Sequence, residues 1–417
     1  MAQDEDALIL SNCSIVDGGS AERREDMHVL IRGGLIEEIS DRTIASADAR
    51  KFDLRGETLM PGLIDCHAHV VATEVDLDKN ALLPNALVAA RAIGIMHAML
   101  MRGFTTVRDL GGADFGLQQA VEEGTILGPR LVICGKGFSQ TGGHSDFRGR
   151  YDTRPTEWLS GKLGALGRVC DGVEALRRGI REEIKGGAQF VKLMANGGVA
   201  SPTDPIKFLG FSREEILTAV EEAAMAQTYV AGHLYTAASI MRAVRCGVQS
   251  IEHASLVDAE AAEAIAEHGA VAVPTLIIFE ALKREGAALG LPSISVGKID
   301  DVRLYGQQSL EILRNAGVVM GYGTDLLGPL HRLQSDEFLL RGEVLPAHDV
   351  IRSATLDAAR VLRMEGKIGC ISPGAYADVI AVKGNPLNDL SCLTGQGHHM
   401  PLIVKGGKVV KDELHRS

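Results

Sequence analysis

The sequence predicts an α/β protein, a (β/α)8 TIM barrel accompanied by a small β domain built from both termini. Three observations carry that expectation. Short aliphatic runs alternate with longer helix-period segments through the middle of the chain, which is the rhythm of strand–helix units. Both ends read as alternating β patterns broken by glycine turns. The chain has 417 residues, more than the roughly 250 a barrel needs, which leaves room for a second, smaller domain.

Taken in order, residues 1–60 supply the first part of the β domain, residues 61–364 the barrel, and residues 365–417 the remainder of the β domain. The stretches Ala7 to Leu59 and Gly366 to Asp412 carry turns at Val16-Asp17-Gly18, Arg32-Gly33-Gly34 and Lys405-Gly406-Gly407. Neither end has enough strands for a stable sheet, so the two are expected to pair. The eight expected barrel strands are Leu63 to Val70, Phe104 to Leu110, Arg130 to Gly135, Gln189 to Met194, Tyr229 to Leu234, Ser250 to Ala254, Val271 to Leu276 and Val318 to Thr324. Helix-period segments lie between them at Asn80 to Met101, Val173 to Gly186, Arg213 to Gln227, Ala237 to Cys246, Asp258 to His268 and Asp300 to Ala316. Ser212 with Glu215 reads as a capping box. The irregular stretch Ser139 to Lys162, rich in Gly, Thr and Arg, is expected to be a loop over the site.

Composition narrows the function. Hydrophobic content of 46% with 23% charged residues is globular. A net charge of −11, 4% aromatics and no basic run argue against nucleic acid as a partner. No apolar run approaches the roughly 20 residues that span a bilayer, so a soluble protein is expected, with no membrane partner. The acidic start Met1 to Asp6 lacks the regions of a signal peptide. The seven cysteines are scattered with no Cys-x-x-Cys, as expected of reduced thiols in a cytoplasm. Apolar outer helices make a homo-oligomer the expectation.

Met60-Pro61-Gly62-Leu63-Ile64-Asp65-Cys66-His67-Ala68-His69-Val70 carries the first chemical signal. Side chains at i and i+2 of a strand point the same way, so His67 and His69 are placed to grip one ion. With 13 histidines in the chain, about 0.4 such pairs arise by chance, so the pair needs company. Barrel function gathers at the carboxyl ends of the strands. There stand His67 and His69 (strand one), Lys192 (four), His233 (five), His253 (six) and Asp325 (eight). Lys192 sits in the apolar run Gln189-Phe190-Val191-Lys192-Leu193-Met194, where an unpaired ammonium is costly. Burial favours the neutral amine, which beside two dications can take up carbon dioxide as a carbamate bridging metals about 3.5–4 Å apart.

The chain here resembles the amidohydrolase superfamily over nearly its whole length. The matching segments are Pro61 to His69, Val191-Lys192, Ala231-Gly232-His233, Ser250-Ile251-Glu252-His253 and Gly323-Thr324-Asp325, in family order. The resemblance implies a binuclear centre, with zinc the expected metal. In it His67, His69, an N6-carboxylated Lys192 and Asp325 hold one ion, while Lys192, His233 and His253 hold the other. It also implies that the terminal β segments form a small β-sandwich. Thr105-Thr106-Val107-Arg108-Asp109, Thr141-Gly142-Gly143-His144 and His233-Leu234-Tyr235-Thr236 look like the branch of prolidase-like and Xaa-Arg/Lys dipeptidases, imidazolonepropionase-like proteins and ochratoxin amidohydrolases. The superfamily's mononuclear deaminases carry an acid three residues after the strand-five histidine, and here that residue is Thr236. Imidazolonepropionase lacks the strand-four lysine, so Lys192 favours amide hydrolysis.

The expected chemistry is attack of an acidified, metal-bridging water on an amide carbonyl. Asp325 is the expected base and proton carrier, and Tyr235 and His144 are the candidate donors to the developing oxyanion. A substrate carboxylate suits an arginine fork, with Arg108, Arg148 and Arg150 as candidates and Arg108 expected to be structural. Asp65 and Glu252 suit orientation of ligand histidines. Asp109 and Asp114 also stand near strand ends, and Glu221-Glu222 reads as a solvated helix face. The expected substrates are dipeptides and N-acyl amino acids, ochratoxin A among them. Hydrolysis of a cyclic amide or lactone is the alternative, and a non-catalytic scaffold is a third reading that the full ligand set argues against.

Overall fold

The computed structural model describes residues 7–414, so the acidic start Met1–Asp6 lies outside the described residues. The N-terminal strands are β1 (Leu8–Ile15), β2 (Arg24–Arg32), β3 (Leu35–Ser40), β4 (Arg50–Asp53) and β5 (Thr58–Pro61). The central ones are β6 (Leu63–Ala68), β7 (Phe104–Asp109), β8 (Arg130–Ile133), β9 (Gly137–Ser139), β10 (Gly167–Val169), β11 (Val191–Met194), β12 (Val230–Thr236), β13 (Ser250–Leu256) and β14 (Val271–Val273). Near the carboxyl end come β15 (Val379–Val382), β16 (Leu402–Lys405) and β17 (Lys408–Asp412).

Both ends of the chain meet in one eight-stranded sheet of order β17-β16-β15-β5-β1-β2-β3, with β4 also paired to β1. The join is β5, which runs antiparallel to β15 (Met60 opposite Ile380) and parallel to β1. Leu10, Ile15, Val29 and Leu59 from one end share a buried core with Val379, Ala381, Leu402 and Val404 from the other. Neither set covers its own apolar face, so each depends on the other.

The central strands are all parallel, in sheets of order β6-β7-β8 and β10-β9-β11-β12-β13-β14. Gln189 donates its N–H to Ile133 O (2.8 Å), linking the end of β8 to the start of β11. The chain has the mixed α/β content of a TIM-barrel-type fold. Interior positions alternate along the strands. Phe190 and Tyr229 stack at 5.5 Å as a floor, with Lys192 two residues above Phe190 on its strand and His233 four residues above Tyr229 on the next.

Several expected elements change form. Val318 to Thr324 forms a single bridge, Ala272 to Met320, rather than a strand. It still spans the gap, since Cys66 N–H donates to Tyr322 O (2.7 Å) and Ala272 N–H to Val319 O (3.0 Å). The segment gives up regular pairing because Asp325 turns back with a φ of 56° and donates its N–H to His67 O (2.7 Å). Asn80 to Met101 is broken by Pro84 into Leu77–Leu82 and Asn85–Met101. Asp300 to Ala316 divides into Asp300–Arg303 and Gly306–Asn315. The stretch 139–162 is irregular apart from the end of β9 and a short 3₁₀ turn, Glu157–Gly161. The Ser212–Glu215 capping box is present in both directions. Among the described residues no helix is long and apolar enough to cross a membrane.

The junction between the terminal sheet and β6 is tight at Gly62, which donates to Asp378 O (2.7 Å). A Cβ there would lie 2.1 Å from Thr105 Oγ1 and 2.5 Å from its Cγ2. Gly62→Ala is therefore expected to cost about 1–3 kcal/mol by overpacking. A clear fall in thermal midpoint checks this, and an unchanged midpoint contradicts it.

Candidate metal centre

Glu252, on β13, organises the bottom of the site. Its Oε1 accepts from Arg108 Nη2 (2.7 Å) and Ser250 Oγ (2.6 Å), while its Oε2 lies 2.9 Å from His67 Nδ1. Burial opposes its charge, but Arg108, His67 and Lys192 outweigh that and hold its carboxyl well below the usual range. The ionised carboxylate accepts the Nδ1 proton of His67, so Nε2 of that ring presents a lone pair. His69 is fixed in the same sense, with Nδ1 3.1 Å from Gly111 O.

Both free Nε2 atoms face the same oxygen, Asp325 Oδ1, at 3.4 Å from His67 and 3.1 Å from His69. Ring nitrogens this close to a carboxylate oxygen need positive charge among them: without metal a ring proton supplies it, since burial opposes the charge on His69 but Asp325 raises its pKa, and a metal cation would take the proton's place. Burial disfavours the charge on Asp325, yet the histidines hold its carboxyl well below the ordinary value. One ligand atom from each of His67, His253 and Asp325 lies within 4.8 Å of the others. On the far side, His233 Nδ1 faces His253 Nε2 at 2.9 Å, and His253 Nδ1 meets Thr275 Oγ1 at 2.7 Å. Burial, then neighbouring positive charge, pushes both rings well below the ordinary histidine pKa. They are neutral imidazoles, the form that binds metal.

Lys192 stands opposite Ala231 in the β11–β12 register, next to the Met194–His233 pair, and within electrostatic reach of Glu252, Asp325, His233 and His253. Its side chain is buried, and among the described residues its Nζ has no hydrogen-bond partner. Burial lowers its pKa to about 8, against the pull of Glu252 and Asp325. A buried amine with no partner is costly as it stands. A divalent cation fits this donor set, because it satisfies the facing lone pairs, and a carboxylated amine would give the orphaned nitrogen a role.

The backbone is strained here. His253, Ala254 and Asp325 have φ of 71°, 52° and 56°, left-handed values that cost about 1–3 kcal/mol each in side-chain-bearing residues.

Tyr235 packs edge-on against His233 at 4.6 Å, and burial keeps its phenol neutral, well above the usual pKa. His144 comes from the 139–162 stretch and stacks on His233 at 4.0 Å. Asp65 is buried and accepts from His67 N–H (3.0 Å), Thr324 Oγ1 (2.6 Å) and Gln334 Nε2 (2.9 Å), tying β6 to the segment that leads to Asp325. Asp109 accepts from Val70 N–H (2.8 Å), Gly111 N–H (3.0 Å) and Ala113 N–H (3.2 Å), which steadies the loop that orients His69. Asp114 is away from the site and caps the helix Phe115–Glu122. Glu222 is a correction, because it is buried and paired with Arg177 (2.9 Å) and Arg181 (2.8 Å) rather than solvated.

Two candidate carboxylate binders are already engaged. Arg108 is wholly buried on Glu252, and Arg148 is chelated by Asp146 (Nε 2.7 Å, Nη2 2.7 Å). Arg150 is exposed, makes no ion pair among the described residues, and lines an open cleft of about 320 Å³ with Thr141, Asp146, Arg148, Asp152 and Thr203.

Sequence reasoning missed Thr275 and Asn196. Thr275 stands one residue before the end of the expected seventh strand and meets His253 Nδ1 at 2.7 Å. The Asn196 side-chain oxygen accepts from Tyr235 N–H (2.8 Å) and Thr236 N–H (3.0 Å), and its amide donates to Ile206 O and Phe208 O (2.7 Å each). Nothing local in sequence marks that span.

Comparison with known proteins places the chain. The profile of the Amidohydrolase family matches residues 58–410. Ochratoxinase of Aspergillus niger is 33% identical over 401 residues, covering 89% of this chain and 82% of the ochratoxinase. A crystal structure of a prolidase complexed with N-methylphosphonate-L-proline matches at a TM-score of 0.96 and 48% identity, covering 97% of this chain and 100% of that one. A crystal structure of a Xaa-Pro dipeptidase with methionine bound in its active site matches at 0.86 and 30% identity, covering 97% and 100%.

Removing Arg108 tests the electrostatic floor. Arg108→Met strands the buried Glu252 charge and is expected to cost about 3–5 kcal/mol in denaturant unfolding. Arg108→Met with Glu252→Gln is expected to recover part of that loss. If the single variant is as stable as the wild type, the ion pair is not the support described.

Proposed function

The chain belongs to the amidohydrolase family, and on that premise we propose that it hydrolyses the amide bond to a carboxyl-terminal amino acid, with dipeptides and N-acyl amino acids as its substrates. The observation that carries this reading is the partnerless, buried Lys192 amine within electrostatic reach of Asp325, His233 and His253. The prolidase, Xaa-Pro dipeptidase and ochratoxinase relatives support the substrate class.

In this reading His67, His69, carboxylated Lys192 and Asp325 hold one divalent cation and Lys192, His233 and His253 the other, with zinc suited to the nitrogen and oxygen donors. When bound, the cations supply a water acidic enough to react near neutral pH and a Lewis acid for the carbonyl. Asp325, with a fifth of its side chain open to the mouth, takes the water's proton and passes it to the leaving nitrogen. Tyr235 O–H and the His144 ring donate to the oxygen that gathers charge. Arg150 is the arginine left to meet the substrate carboxylate. The same reading treats the two parallel sheets and segment 318–325 as a closed (β/α)8 barrel over residues 61–364. Residues 1–60 and 365–417 then form a β-sandwich.

Thr236 argues against deamination. It caps the helix Ala237–Arg245 by accepting from Ser239 N–H, and it carries no acid.

The test is a screen of zinc-loaded protein against dipeptides and N-acyl amino acids, ochratoxin A included, with each hit repeated as its carboxyl ester. Hydrolysis that esterification abolishes is expected, and equal turnover of the esters would favour a cyclic amide or lactone instead. Asp325→Asn is expected to lower kcat by roughly 10²–10⁴ with KM little changed. Near-normal turnover with metal retained removes Asp325 from the role of base. Elemental analysis of the wild type is expected to find two divalent ions per chain and of Lys192→Met at most one. Two ions in the variant contradict the bridging role.

A further inference from the structure

The loop 197–210 that follows β11 folds over the same mouth, and one ammonium ties down its first turn. Lys298, the last residue of the helix Ser293–Lys298, places Nζ 2.7 Å from Gly198 O, 2.7 Å from Ser201 O and 2.9 Å from Asp204 O. Its side chain is 13% exposed, and Asp204 Oδ1 lies 3.9 Å away. Three carbonyl dipoles of one short turn converge on a single charge, an arrangement that repels itself when the charge is withdrawn. Asp204 is buried as well, and its Oδ1 has no hydrogen-bond partner among the described residues, so the ammonium also balances that carboxylate.

The turn grips His144. Asp204 Oδ2 accepts Gly198 N–H at 3.0 Å and lies 3.7 Å from His144 Nδ1, and Ser201 Oγ is 2.7 Å from the same nitrogen. A Cβ on residue 198 would sit 1.9 Å from the imidazole, so only glycine lets the turn lie flat on the ring. The same ring also stacks on His233 at 4.0 Å. The position of His144 is thus set by its stack on His233 and by a turn that Lys298 holds shut.

We propose that Lys298 is a positioning residue for hydrolysis, its ammonium caged by the carbonyls of residues 198, 201 and 204 so that the turn aims His144 at the reacting carbonyl. The inference rests on the reading of His144 as an oxyanion donor, and the experiment separates the two.

Hydrogen exchange on the metal-loaded full chain reads the tether directly. In Lys298→Met the amides of residues 197–204 are expected to exchange roughly tenfold faster than in the wild type, with the strands unchanged. In Lys298→Ala, methylammonium is expected to restore protection, whereas tetramethylammonium, equal in charge but without N–H donors, is not. With leucyl-proline, or another dipeptide the wild type cleaves, Lys298→Met is expected to lower kcat roughly tenfold at near-constant KM and unchanged metal content. In a His144→Asn background the same change is expected to do nothing further, because both act through one ring. Unaltered exchange overturns the tether. An equal loss of kcat in the His144→Asn background overturns the route through His144 while leaving that residue's role as donor standing. If His144→Asn alone keeps full kcat, the donor reading itself fails, whatever the exchange shows. Lys298→Gln carries the same measurements if the Met variant does not fold.

Discussion

The wholly buried ion pair between Arg108 and Glu252 is the contact on which the site depends. Arg108 rises from β7 over the Phe190 ring (5.3 Å), also reaching Cys66 O (2.7 Å), Tyr229 O–H (3.2 Å) and Ser250 Oγ (3.1 Å). It joins β6, β7, β13 and the residue that leads into β12. Its charge keeps Glu252 ionised, Glu252 fixes the tautomer of His67, and His67 then offers a lone pair upward. A buried pair of this kind is poor evidence of stability in itself, because desolvation offsets much of the attraction. Its value here is orientation, since a neutral Glu252 would leave the His67 proton unassigned.

Above that floor the molecule stores cost where chemistry is expected. Lys192 is a buried amine without a partner, two ring nitrogens crowd one buried carboxylate oxygen, and three residues of the rim sit at positive φ. Each is unfavourable alone, and a cation with a carboxylated lysine relieves the first two together. The strained rim follows from the same demand, because Asp325 reaches the site only by turning back from a segment that would otherwise pair as a strand. Surrounding clamps such as Arg341, which reaches Pro274 O (2.6 Å) and Gly321 O (3.1 Å), hold the end of β14 and segment 318–325 in place.

Much of the fold and of the clustering of the candidate site's residues was legible in the sequence, for a local reason. His67, His69, Lys192, His233 and His253 each end or occupy a short aliphatic run, so period-two geometry and strand polarity placed them at one end without knowledge of contacts. The pairing of the termini was legible because neither end could make a sheet alone. Segment 318–325 read as a strand from its apolar pattern, but its conformation is decided by Asp325 and by neighbours far along the chain. Thr275, Asn196, Asp204 and Lys298 were not legible as a group. Their roles are hydrogen bonds across tens of residues, between loops whose composition carries no periodic signal. Arg148 shows the same limit, since only geometry reveals that Asp146 already occupies its fork.

The claim at the centre of this account is that the Lys192 amine becomes a bridging carbamate. Carbon-13 NMR of the zinc-loaded protein equilibrated with ¹³C-bicarbonate tests it most directly. A slowly exchanging carbamate carbon, lost in Lys192→Met and on removal of the metal, is the expected result. A metal-replete, catalytically active protein with no such resonance would contradict the claim.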